Sequence, residues 1–89
     1  MVVPSALGSI LRNAPLSPGK VSFAWRAVVG PALDRVSRVS LRGDGALDVL
    51  AADERWRREF ERAAPAIVMR LQELLGSDAV KRLVVRKSS

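Results

Sequence analysis

The sequence contains no cysteine and no histidine. Without cysteine there is no disulfide frame and no thiolate chemistry. Without histidine the commonest general base and the commonest metal ligand are both missing. Acid–base work would fall to carboxylates, and nine acids stand against fifteen bases. Asp44 falls in a turn, Asp53 at a helix start and Asp78 after a helix stop, so structural roles account for all three. No paired acid site emerges. An enzyme is therefore not expected, nor is a cofactor, a bound metal or a small-molecule substrate. The lack of cysteine fits a reducing cytoplasm. No apolar run approaches the length needed to span a bilayer, so no membrane role is expected. The opening stretch MVVPSALGSILRNAP has no basic region ahead of its apolar residues and no clear cleavage site, so no signal peptide is expected.

What is present is hydrophobic and basic. The 89 residues are 48% hydrophobic, enough for one small globular domain over residues 1–89 with its core in about 5–87. A chain this short buries roughly 60–65% of its unfolded surface. The net charge is +6, carried mostly by arginine. That excess points toward a polyanion, an acidic protein face or an anionic surface. Arginine favours nucleic acid among these, because its planar fork matches phosphate and stacks on bases. A GC-rich genome also raises arginine over lysine.

Along the chain, Val3, Leu7, Ile10 and Leu11 carry helical spacing over 3–13, and Pro15 and Pro18 bound a loop. Ser17 and Pro18 read as cap and first residue of a second helix that ends at Gly30-Pro31, with Val21, Ala24, Trp25, Val28 and Val29 inward. One short helical turn fits 31–36. The period then becomes two. Val39 and Leu41 alternate with Arg38, Ser40 and Arg42; Leu47, Val49 and Ala51 alternate with Ala46, Asp48 and Leu50. Between these runs Gly43-Asp44-Gly45 predicts a β-hairpin, glycine supplying the positive φ of the turn. Asp53 caps a long helix whose apolar stripe is Trp56, Phe60, Ala63, Ile67, Leu71 and Leu74. Pro65 is expected to kink or split it. Gly76 ends it, and residues 80–86 suit a third strand. The order α-α-β-β-α-β predicts an α+β domain, with helices on one face of a small mixed three-stranded sheet.

Trp25 and Trp56 lie in phase with aliphatic residues, so both are read as core. A base-stacking platform would stand out of the apolar pattern beside basic residues. Arg38, Arg42, Arg82 and Arg86 fall out of phase with the core and would share the open face of the sheet. They form a candidate seat for single-stranded nucleic acid or, equally, a solvated face. Arg55, Arg57, Arg58 and Arg62 alternate with Glu54, Glu59 and Glu61, a pattern of ordinary i,i+4 pairing; Arg57 and Arg58 are the candidates there for a contributing patch. The glycines form neither GxGxxG nor a P-loop, and the GxxG clamp of sequence-reading KH domains is absent.

An ordered set of motifs spans roughly residues 5–87. It runs Trp25-Arg-Ala-Val-Val-Gly30-Pro31, then a hairpin bearing Leu41, Gly43, Gly45, Leu47 and Val49, then Trp56-x-x-Glu59-Phe60. Ile67-x-x-x-Leu71-x-x-Leu74-Leu75-Gly76 and a closing strand complete it. This set resembles the DciA family of bacterial proteins. The resemblance implies a KH-like fold and a place in DNA replication, as a loader or operator of the replicative helicase DnaB that binds single-stranded DNA. It implies no catalytic residues and a cytoplasmic, nucleoid-associated protein. It maps family positions to Trp25, Gly30, Trp56 and Gly76, which look structural. Two other readings stay open: a KH-like RNA- or ribosome-associated module, and a protein-interaction adaptor whose charge serves solubility.

Overall fold

Ser17 and Pro18 start the first helix of the computed structural model, which describes residues 16–88. The helix expected over 3–13 lies outside the described residues. Ser17 is extended, and its Oγ accepts from the Lys20 N–H at 3.2 Å. This caps α1, Pro18–Val29, and Pro18 costs nothing at a position with no intrahelical partner for its nitrogen. Gly30 stops α1 at φ 87° and donates its N–H to the Arg26 carbonyl. A five-residue helix, α2, Pro31–Arg35, follows at once. The first strand, β1, spans Ser37–Leu41, and β2 spans Ala46–Ala51. The long helix α3, Glu54–Leu75, then crosses to β3, Arg82–Lys87.

The α+β expectation holds. β2 is central, antiparallel to β1 (Val39 opposite Val49) and parallel to β3 (Val49 opposite Val85). The mixed sheet follows from connection length. A tight turn joins antiparallel strands, while a parallel pair needs a crossover, here α3. The helices cover the face bearing Leu47, Val49 and Ala51. That face closes over Val21, Ala24, Trp25, Phe60, Ile67, Leu71, Leu74, Leu75 and Val80. No described helix is long and apolar enough to cross a membrane.

Trp25 is fully buried, as its phase predicts, and its ring meets that of Phe60 at a centroid distance of 5.5 Å. A buried indole N–H needs an acceptor. It donates to Ser37 Oγ at 2.9 Å, and that hydroxyl donates onward to the Leu33 carbonyl at 2.8 Å. One chain of two hydrogen bonds thus ties α1, α2 and β1 together.

Three expectations for α3 need correction. Of the kink or split expected at Pro65, the split does not occur: the helix runs unbroken from Glu54 to Leu75. Pro65 is on the exposed side, so the Glu61 carbonyl that loses its donor faces water instead of core. Ala63 is exposed, and its neighbour Ala64 takes the half-buried position. Trp56 is half-buried, not core, because it stands in the first turn where the helix passes the edge of the apolar layer. The ends of α3 are fixed as expected. Asp53 Oδ1 accepts from the Trp56 N–H at 3.0 Å, and Gly76 stops the helix at φ 99°. Beyond it, Gln72 Nε2 donates to the Val80 carbonyl at 2.9 Å and pins the approach to β3.

Gly45 closes the hairpin at φ 88° and is itself buried. Its carbonyl accepts the Lys81 N–H at 2.7 Å, so the turn between β1 and β2 also seats the start of β3. A Cβ on Gly45 would stand 2.9 Å from Lys81 Cγ.

Two substitutions test this frame. Ser37→Ala strands a fully buried donor and is expected to lower stability by about 1–3 kcal/mol in urea unfolding. Ser40→Ala, on the exposed side of the same strand, should change it by less than about 0.5 kcal/mol. Gly45→Ala combines a left-handed backbone with a collision against the Lys81 stem. We expect a loss of at least about 1–2 kcal/mol; an unchanged urea midpoint would show that the turn relaxes freely.

Candidate nucleic-acid interface

In a strand, alternate residues point to opposite faces. Because Leu47, Val49 and Ala51 face the helices, their alternates on all three strands face away. The pairing register builds the outer face row by row. Arg38, Leu50 and Arg86 form one row; Ser40, Asp48 and Val84 form the next. Arg42, one residue past β1, donates its backbone N–H to the Ala46 carbonyl at 2.8 Å, and Ala46 pairs with Arg82. All four sheet arginines expected on the open face are therefore on it, and all are exposed.

Their electrostatic surroundings differ. Arg42 Nε lies 3.2 Å from Asp48 Oδ2, and Arg82 donates to Asp44 Oδ2 at 2.9 Å. Asp44 also accepts the Ala46 N–H at 3.1 Å. That backbone hydrogen bond, followed by the nearby Arg82 and Arg42 charges, holds the Asp44 carboxyl below the ordinary carboxylate range. Asp48 sits mid-face, and its second oxygen, Oδ1, is enclosed without a hydrogen-bond partner. Among the described residues, Arg38 and Arg86 have no carboxylate within ion-pair distance.

Arg57 and Arg58 are not brought to this face. They lie in the first turns of α3, a helix that packs against the opposite side of the sheet. Arg57 is held by both Glu54 oxygens through Nε at 2.9 Å and by Glu61 at 2.6 Å. Arg58 Nε lies 3.5 Å from Glu54. These contacts act on both partners. The hydrogen bonds from Arg57 pull the Glu54 carboxyl down to about 2, and those to Glu54 and then Glu61 raise the Arg57 guanidinium above its usual value. The i,i+3 and i,i+4 pairing read from the sequence is therefore what this cluster does. Exposed pairs of this kind contribute little stability, but they consume the charge that a phosphate would meet.

Two features escaped the sequence reading. Arg35, at the end of α2, stands beside Arg38 at the helix-to-strand junction, where both line one shallow hollow. The short helical turn was expected over 31–36, but that its end places Arg35 beside Arg38 depends on how the turn meets β1. Trp56, partly buried against the core, carries the Arg55 guanidinium 5.5 Å from its ring centroid, a cation–π pair. Among the described residues no three acids gather as metal donors.

Comparison with known proteins gives one match. The model of the family described as Dna[CI] antecedent, DciA, matches residues 3–85. No curated protein and no solved structure matches. With a match spanning nearly its whole length, and the Trp25, hairpin and α3 motifs in their places, the chain belongs to the DciA family.

Proposed function

We propose that this protein is a non-enzymatic factor of DNA replication. It loads or operates the replicative helicase DnaB and holds single-stranded DNA on the outer face of its sheet. We read the frame as KH-like without the GxxG clamp, and the setting as the cytoplasm at the nucleoid. Family membership supports the helicase partner. The observation that carries the DNA part is the placement of Arg38, Arg42, Arg82 and Arg86 on one uncovered face.

That face suits a sequence-tolerant grip. It offers cations and a few apolar side chains, Leu50 and Val84 among them. Its carboxylates, Asp44 and Asp48, are engaged by Arg82 and Arg42, and its described residues include no amide side chain to read base edges. Binding is then dominated by phosphate neutralisation and released counterions, which makes it steeply dependent on salt. Arg57 and Arg58, engaged by Glu54 and Glu61, are supporting contacts at most.

The test is binding of the purified protein to fluorescent single-stranded DNA at low and moderate salt, with and without DnaB from the same organism. We expect log affinity to fall with log salt by about 0.7 per phosphate contacted, and a ternary complex with DnaB to form. Replacing the four sheet arginines together by glutamine should abolish most of the DNA affinity and leave the urea midpoint unchanged. Capture of DnaB without any DNA binding would leave an adaptor with a solvated basic face. A preference for structured RNA over single-stranded DNA would select the RNA-associated alternative.

A further inference from the structure

The four sheet arginines are not equivalent, and the difference runs along the strands. At the hairpin end Arg42 and Arg82 are already engaged, by Asp48 and Asp44. At the opposite end Arg38 and Arg86 flank Leu50 in one cross-strand row, and neither is paired among the described residues. The end of α2 delivers Arg35 to the same place, likewise without an ion pair there. The hollow at this end, about 150 Å³, is lined by Arg35, Val36, Ser37, Arg38, Leu50, Ala52 and Ser88. Leu50 is 40% exposed and stands between Arg38 and Arg86.

Leu50, exposed between two arginines that no described carboxylate pairs, sets an apolar contact between two positive charges. This arrangement suits a ligand with alternating charged and apolar parts, which is the chemistry of a nucleic-acid strand. We propose that this hollow is the subsite where single-stranded DNA is anchored. Arg35 and Arg38 hold one phosphodiester. Arg86, two inter-strand spacings or about 10 Å across the sheet, meets another phosphate of the same strand. The sugar and base between them lie over Leu50. The nucleic acid therefore crosses the β-strands at their Ser88 end instead of running the length of the face, and the hairpin end contributes little. This assignment rests on the outer face being the DNA surface.

The experiment measures affinity of the full chain for fluorescein-labelled oligo(dT) at about 0.1 M salt, with salt titrations. Three double variants are compared with wild type: Arg35→Gln/Arg38→Gln, Arg42→Gln/Arg82→Gln and Asp44→Asn/Asp48→Asn. The substituted arginines and Asp44 are exposed and Asp48 is half-buried, and Asp44→Asn keeps the oxygen that accepts from Ala46. We expect the Arg35/Arg38 variant to bind roughly tenfold or more weakly, with its salt slope reduced by about 0.7, the value for one lost phosphate contact to a single strand. The Arg42/Arg82 variant should lose less than about threefold. The Asp44/Asp48 variant should bind more tightly, because it frees two cations. A loss at Arg42/Arg82 equal to or above that at Arg35/Arg38 overturns the subsite while leaving the DNA surface standing. A wild-type protein that binds no single-stranded DNA overturns the DNA surface itself, and the subsite with it.

Discussion

The buried indole of Trp25 is the constraint on which the other contacts depend. An 89-residue chain has a modest core, and one fully enclosed tryptophan is a large share of it. Enclosing the ring is favourable only if its N–H is satisfied, and the acceptor is the first residue of β1. Ser37 can accept because its own proton goes to the Leu33 carbonyl of α2. The three elements therefore have one good arrangement. Once Ser37 faces the helices, the two-residue period of β1 leaves Arg38 no choice but the outer face. The register with β2 and β3 then places Arg86 in the same row. The basic face is in this sense a consequence of how the core tryptophan is satisfied.

Much of the frame was legible because its signals are local. Ser17-Pro18 and Gly30-Pro31 bound α1 through the geometry of helix ends, and Asp53 and Gly76 do the same for α3. The hairpin was legible because alternation and a positive-φ glycine describe one object. What was misread lies where local signals are neutral. Alanine carries little directional information, so Ala63 and Ala64 could not be told apart without knowing how α3 crosses the sheet. Pro65 suggested a break, but its penalty depends on where the freed carbonyl points, and here it points to water. Trp56 matched the stripe in phase, and its place at the edge of the apolar layer leaves it packed against the core but only partly buried.

The outer face was legible as a set of residues and illegible as an electrostatic pattern. Phase alone put four arginines there. Which of them keep a net field depends on contacts between positions far apart in sequence, such as Arg82 with Asp44. Arg57 shows the opposite case. Its partners lie three and four residues away on one helix, and the spacing announces the pairing in advance.

Of the two acids that engage the arginines of the hairpin end, Asp44 has a local role in the turn, while Asp48 lies within β2. Asp44 sits between two glycines, and its carboxylate receives the N–H of Ala46 two residues on, as aspartate does in tight turns. That hydrogen bond favours an acidic or amide side chain at this point whatever the face is used for. A neutral asparagine would serve the turn as well, so the charge is a separate choice. The Asp44 carboxylate, held below the ordinary range, accepts from Arg82 at 2.9 Å and takes up that arginine's charge beside the turn. Asp48, on the central strand, engages Arg42 as well. The far end has no turn between its strands and no such demand, and its arginines keep their charge for the solvent side. On the DNA face proposed above, that difference would steer a strand to the end where β1 begins and β3 finishes.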